Sequence, residues 1–240
     1  KRADAMGCDF IATGHYARVE QVWNEYHLLK WVDTNKDQTY FLSWLTQHQL
    51  SHALFPLGGM TKPEVRAKAL ELNLPNAERK DSQWLCFIGK VSMKEFLGKT
   101  LPTKPWPIKD QKGNILWTHP WALFYTIWQR EWIGLSGWPW FVLEKDVQKN
   151  ELIVGHEDDP KLRTSTVFVT DRHWSHQAYE LPLNAFTKLR YRQPDQPCVI
   201  SSTDNQTYKL AFSTPQRAAT PGQIAVIYQW DLLIAQWVIL

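Results

Sequence analysis

Glycine is scarce in this chain. Eleven glycines stand against 14 tryptophans in 240 residues, where ordinary usage of about 7% would give roughly 17 glycines. Tryptophan occupies places where the chain should turn: Pro105-Trp106-Pro107, Ser136-Gly137-Trp138-Pro139 and Gln229-Trp230-Asp231. An indole side chain enters the left-handed region of backbone space at a cost that glycine escapes. Core or interface usage of tryptophan therefore does not account for this placement. Cysteine is equally sparse. Cys8, Cys86 and Cys198 are odd in number and widely spaced, which argues against a secreted disulfide framework and against a zinc site with paired ligands. No tightly bound metal is expected, and a reducing cytoplasm is the default location. No apolar run reaches the ~18 residues of a membrane-spanning helix, so no membrane partner is expected. The opening Lys1-Arg2-Ala3-Asp4-Ala5-Met6-Gly7 lacks the long apolar stretch of a secretory signal and an initiator methionine, so the chain is expected to start inside a longer protein. A net charge of +3 and a pI near 8.7 permit an anionic partner without demanding one.

What is present is a hydrophobic fraction of 44%, enough for a core, and a change of character along the chain. Asp9 to Thr13 reads as a buried strand running into Gly14-His15-Tyr16, the pattern of the ligand-facing edge of an α/β sheet. Tyr26 to Val32 reads as a second strand. Asn35-Lys36-Asp37 starts a helix through about Leu45, with Tyr40, Phe41, Trp44 and Leu45 on one face. Thr61-Lys62-Pro63-Glu64 is a capping-box start to a helix with Val65, Ala69, Leu70 and Leu72 as its buried stripe. Pro75 stops it. Ser92 to Glu95 repeats the capping pattern ahead of a short helix through about Leu97. Beyond residue 105, short β-rich runs alternate with turn signals. These runs are Ile115-Leu116, Phe124–Ile127, Trp140–Leu143 and Glu151–Val154, then from about Arg163 the runs Thr166–Thr170, Ala185–Leu189, Cys198–Ser201, Tyr208–Phe212, Ile224–Tyr228 and Leu232–Leu240. Such spacing points to a small closed or nearly closed β-barrel.

Cys86 stands in Lys80-Asp81-Ser82-Gln83-Trp84-Leu85-Cys86-Phe87-Ile88-Gly89. A lone cysteine is more often a small buried hydrophobe than a reactive thiol, but Arg79 and Lys80 would favour its thiolate. This segment resembles the KDSQGxCFIG stretch of the tRNA-specific 2-thiouridylases. Further segments of that family follow in the same order along nearly the whole chain: Ala12 to Arg18, Asn35 to Gln38, Leu54 to Gly58, Thr61 to Arg66, Phe124 to Arg130, Arg190-Tyr191-Arg192-Gln193 and Thr220-Pro221-Gly222-Gln223. Any one of them is weak; together they are specific.

The resemblance implies an α/β plus β fold. It divides into the C-terminal part of a Rossmann-like (HUP, PP-loop ATPase) domain over residues 1–82, a small central domain over 83–162, and a tRNA-binding C-terminal β-barrel over 163–240. It implies that ATP, with Mg2+, adenylates the C2 oxygen of the wobble uridine, and that a cysteine persulfide replaces this oxygen by sulfur. The sulfur comes from a protein persulfide donor, and a second cysteine resolves the persulfide as a disulfide. Cys86 matches the persulfide cysteine, Gly14 an ATP contact, and His15, Lys36, Asp37, Gln38, Arg190, Tyr191 and Gln223 contacts to tRNA. An arginine beside a tyrosine suits phosphate pairing and base stacking. Read without the resemblance, these residues are a strand end, a solvated helix start and a cross-strand surface pair, and Cys8 and Cys198 are structural, with Cys8 buried at a strand edge. No SGGxDS phosphate loop occurs, and the family's resolving cysteine has no match in this chain. The alternative is therefore a non-catalytic tRNA-binding or RNA-binding module. Trp23, Trp31, Trp84, Trp106, Trp117, Trp121, Trp128, Trp132, Trp138, Trp230 and Trp237 stand where the family has glycine or where a turn favours it. A single cause, UGA codons that encode glycine read as tryptophan, covers them all.

Overall fold

A computed structural model describes residues 2–79, 98, 105–130, 133–137, 139–203 and 206–240. Two compact units emerge: residues 1–79, 165–214 and 221–240 in one, residues 80–164 and 215–220 in the other. The expected capping box at 92–95 lies outside the described residues.

In the first unit, helix α1 (Arg2–Ala5) leads to β1 (Ile11–Ala12), then to the hairpin β2 (Arg18–Val22) and β3 (Glu25–Leu29). A 3-10 turn at Thr34–Lys36 follows, then α2 (Thr39–Leu42), α3 (Gln47–Leu50), β4 (Ala53–Leu54) and α4 (Lys62–Glu71). The single helix expected from Asn35 to Leu45 is broken. Asp37 takes an extended ψ of 128° because its carboxylate is engaged by backbone and side-chain donors on either side. The apolar face proposed there splits accordingly. Tyr40 and Leu45 pack on the core, whereas Phe41 and Trp44 are exposed.

β1 pairs parallel with β4. It was expected to be buried, yet Ile11 is 54% exposed and Cys8 is exposed as well. Parallel strands are ordinarily covered on both faces; among the described residues this pair has no further strand beside it. Helix α4 starts as expected, with the Glu64 carboxylate accepting from the N–H and hydroxyl of Thr61 at 2.7 and 2.8 Å. It ends as Asn73 takes a positive φ of 51°. Its expected buried stripe is not buried: Leu70 and Leu72 are more than half exposed.

The second unit builds a sheet from β5 (Trp106–Asp110), β6 (Ile115–His119), β7 (Phe141–Asp146) and β8 (Glu151–Gly155), in the order β6-β5-β8-β7. Ile108, Ala122, Tyr125, Val142, Leu152 and Val154 form its core. The run Phe124–Ile127 is not a strand: a 3-10 turn at Ala122–Phe124 leads into a loop, with Trp128 at φ 76°.

The remaining strands are β9 (Arg163–Trp174), β10 (Leu183–Lys188), β11 (Gln196–Ser202), β12 (Tyr208–Arg217), β13 (Ile224–Gln229) and β14 (Leu232–Ile239). They close in the order β13-β10-β11-β12-β9-β14, and β14 pairs back to β13. The expected barrel is there, and closure removes its sheet edges. Alternate residues point inward: Ala185 and Thr187, Cys198 and Ile200, and Tyr208, Leu210 and Phe212 are all buried. The hairpin β2–β3 joins this barrel at β14, where Leu29 pairs with Leu232. A common core of Ala17, Leu28, Leu42, Leu50, Val226, Tyr228 and Leu233 binds the two together.

Candidate nucleic-acid interface

Three chain segments singled out by sequence meet in the first unit. The backbone of Tyr16, which follows Gly14 and His15, exchanges two hydrogen bonds with Gln38. Tyr16 N–H donates to Gln38 Oε1 at 2.8 Å, and Gln38 N–H donates to the Tyr16 carbonyl at 2.9 Å. His15 is held by Thr13, 2.8 Å from its Nδ1, and rests edge-on to Phe55. Gly14 is exposed at the carboxyl end of β1. A Cβ there would meet only Leu57 Cδ1, at 3.9 Å. The backbone there is open to a ligand; the sequence contains no SGGxDS motif.

Asp37 is buried. Its Oδ1 accepts from Trp31 N–H at 3.0 Å, its Oδ2 from the Thr39 hydroxyl at 2.7 Å, and Lys188 lies 3.5 Å away. Its carboxylate organises the loop, and the loop presents its neighbours. The barrel contributes the turn after β10. Gln193 N–H donates to the Arg190 carbonyl at 3.2 Å, and the buried Gln193 side chain accepts from Leu189 N–H. This turn leaves Arg190 and Arg192 exposed and Tyr191 half-buried. Arg192 sits at φ 63°, a strained conformation of the kind found at functional sites. Tyr191 lies 4.4 Å, centroid to centroid, from the exposed ring of Phe41, and Arg192 stacks over Tyr191 at 5.6 Å. Gln223 is half-buried beside Ile224, whose carbonyl accepts the Tyr40 hydroxyl.

Lys36 is the electrostatic centre. Burial, then the positive charges of Lys62, Arg192 and Arg66, hold its ammonium below the usual lysine value, against the pull of Asp33. Lys62 and Arg66, one helical turn apart on α4, share a face. Lys62 also lies over the Tyr16 ring at 4.6 Å, and Arg66 donates to the carbonyls of Ala77 and Arg79 at 3.1 and 3.2 Å; a positive field of this kind favours an anionic partner. A cleft of about 400 Å³ lined by Lys30, Asp37, Tyr40, Lys188, Tyr191 and Arg192 opens alongside.

Sequence reasoning did not single out Lys62, Arg66, Arg192 or Phe41 as site residues. The Lys-x3-Arg spacing on a helix and the Arg-Tyr-Arg run were the available signals. Cys86 lies outside the described residues. Cys198 is buried 2.9 Å from Thr187 Oγ1, and burial pushes its thiol up to about 11, which suits a packing residue.

An α/β segment and a closed barrel thus share one core and carry an arginine–aromatic stack on their loops. Residues 1–90 match the tRNA methyl transferase HUP domain, residues 94–156 the tRNA methyl transferase PRC-barrel domain, and residues 164–234 the aminomethyltransferase beta-barrel domain. The tRNA-specific 2-thiouridylase MnmA of Cupriavidus pinatubonensis is 46% identical over 249 residues, covering 99% of this chain and 68% of the relative. Those of Neisseria gonorrhoeae and Yersinia pestis are 45% and 39% identical, each covering 99% of this chain and 65% and 66% of the relative. The chain belongs to the tRNA-specific 2-thiouridylase family. It spans about two-thirds of the length of these relatives. No helix among the described residues is long and apolar enough to cross a membrane.

Proposed function

We propose that this chain is the tRNA-gripping and sulfur-carrying portion of a tRNA-uridine 2-sulfurtransferase. The observation that carries the reading is the stack of exposed Arg192 on Tyr191 and of Tyr191 against the exposed ring of Phe41, within the positive field that Lys36, Lys62 and Arg66 share with Arg192. The cations neutralise tRNA phosphates, and the rings take an unstacked base. Lys36, Gln38, His15, Arg190, Tyr191 and Gln223 set the position of the anticodon arm. Asp37 acts from below, by holding the loop.

The domain division 1–82, 83–162 and 163–240 belongs to the same proposal. ATP with Mg2+ supplies activation of the uridine C2 oxygen, with Gly14 offering open backbone at its edge. Cys86 carries the sulfur received from a protein persulfide donor. The terminal sulfur bonds to C2 as the adenylated oxygen leaves with AMP, and a second thiolate cleaves the sulfur–sulfur bond, forming a disulfide with Cys86. Such a protein works in the cytoplasm.

The test is tRNA binding by the chain across a salt series. Affinity is expected to fall linearly in log–log form, and Lys36→Ala and Arg192→Ala are each expected to reduce the slope by about 1. Wild-type slopes retained in both variants would overturn the interface. A non-catalytic module is distinguished in the full-length protein, where Cys86→Ser would then change no activity.

A further inference from the structure

β9 and β3 occupy the same edge of β14 in succession. Ala235 to Ile239 pair with β9, Ser175 N–H donates to the Ile234 carbonyl at 2.9 Å, and Leu232 pairs with Leu29 of β3. At this seam the chain leaving β9 runs past the hairpin. Glu25 and His27, two apart on β3, share a face, and His176 meets them from the barrel. One ligand atom from each of the three lies within 4.8 Å of the others. The two imidazole rings are 4.4 Å apart, and His27 Nε2 is 3.8 Å from the Glu25 carboxylate.

The hydrogen bonding around His176 is that of a prepared ligand. Gln47 is locked in one orientation: its Oε1 accepts from Tyr26 N–H at 2.7 Å, and its Nε2 donates to the carbonyls of Tyr26 and Ser175, both at 2.8 Å. Both amide hydrogens are thereby used, and none remains for His176 Nδ1, 3.2 Å away. The Leu233 carbonyl acts on His176 as a backbone acceptor and favours its protonated ring nitrogen. Its Nε2 is buried and has no hydrogen-bond partner in the structure. Metal-binding histidines ordinarily donate their second ring N–H to such a carbonyl, which fixes the tautomer that leaves the other nitrogen free. An orphan buried ring nitrogen facing a second imidazole is otherwise an unfavourable arrangement.

We infer that Glu25, His27 and His176 form a binding site for a divalent transition-metal ion of the Zn2+ class, clipping the β2–β3 hairpin to the barrel. Two imidazoles and a carboxylate with an open fourth position suit that ion. Ligand atoms around a tetrahedral ion with bonds of about 2.1 Å lie roughly 3.4 Å apart. From a separation of at most 4.8 Å the three groups need to draw in by up to about 1.4 Å, which takes rotation of the half-exposed Glu25 side chain and of the imidazoles about their χ angles.

The experiment is titration of Zn2+ into the chelator-stripped chain against a chromophoric competitor, with Co2+ absorption as a second probe. One equivalent is expected to bind, with nitrogen–oxygen rather than thiolate spectra. A hundredfold excess over Kd is expected to raise Tm by about 5–10 °C. His27→Gln and His176→Gln should each weaken binding at least tenfold, with metal-free circular dichroism unchanged. If His176→Gln does not fold, Glu25→Gln at the exposed start of β3 gives the same reading. Absence of Zn2+ binding, or binding unchanged in the His27→Gln and Glu25→Gln chains, would overturn the site.

Discussion

Lys30 Nζ lies 2.6 Å from Asp195 Oδ2, 165 positions later in the chain. The ammonium also donates to the Trp230 carbonyl and sits 4.3 Å above the Tyr228 ring. Lys188 joins from β10, 3.7 Å from Asp195 and 3.5 Å from Asp37. Two cations and two anions thus balance around one buried tyrosine, whose hydroxyl lies 3.0 Å from Thr39 Oγ1. Removing one partner strands the others. Asp37→Ala is expected to destabilise the chain by about 3–5 kcal/mol, read from urea unfolding, and Tyr228→Phe by about 1 kcal/mol.

The same tyrosine sets an alkaline limit. Burial first, then the negative charge of Asp37, raises its ionisation well above the ordinary value. The unfolded chain loses this proton from about pH 10 while the folded chain keeps it. Stability is therefore full below about pH 10 and falls as pH rises beyond it. Denaturation midpoints at pH 9 and 10.5 check this: the decline should be shallower in Tyr228→Phe.

Trp23 and Trp230 each take the first position of a two-residue hairpin turn, at φ 58° and 55°, where glycine is preferred. Both are at least 80% exposed; among the described residues Trp23 has no ring contact in return, and Trp230 has one with Phe186, 5.8 Å between ring centroids. Trp23→Gly and Trp230→Gly are each expected to stabilise by about 1 kcal/mol. Trp128, also at positive φ, is anchored by its indole N–H on the Leu162 carbonyl at 2.7 Å and by Phe141; glycine there should lose that contact. UGA codons at Trp23, Trp128 and Trp230, with UGG at Trp140 and Trp174, are the expected genomic finding. A tryptophan mass in the native peptide containing residue 23 would reject recoding.

Tyr191→Ala and Phe41→Ala should weaken tRNA binding by about 1–3 kcal/mol each while leaving the salt slope unchanged. A stacking contact releases no counterions, so the two kinds of variant separate in one data set.

Alkylation at pH 8 should modify Cys8 in the native chain and spare Cys198, whose thiol is buried and held protonated. In the full-length protein, Cys86→Ser should abolish 2-thiouridine formation and preserve conversion of ATP to AMP. Retained thiolation would make Cys86 a packing residue.

The barrel was legible in the sequence because each strand alternates in and out over a closed sheet, so its period-2 pattern survives intact. The region 34–50 was not. There the aromatic spacing suggested one helix, but the Asp37 carboxylate outcompetes helix continuation by serving Trp31, Thr39 and Lys188 together. β1 and α4 misled for a different reason: their apolar residues Ile11, Leu70 and Leu72 are more than half exposed among the described residues, so a hydrophobic pattern there did not mark burial. The three-residue cluster at the hairpin seam was invisible to a search weighted toward cysteines, because Glu25 and His27 are separated from His176 by about 150 residues and no local spacing announces it.

β14 carries β3 and β9 on one edge and β13 on the other. The hairpin is thus a continuation of the barrel wall rather than an appendage to it. Segments from opposite ends of the sequence are cast into one plate, and swinging the hairpin would break the Leu29–Leu232 pairing and the bond from Lys30 N–H to the Asp231 carbonyl. Such a surface pays no ordering entropy when its ligand arrives, so amide exchange in Arg18–Leu29 should be as slow as in the barrel and insensitive to added tRNA.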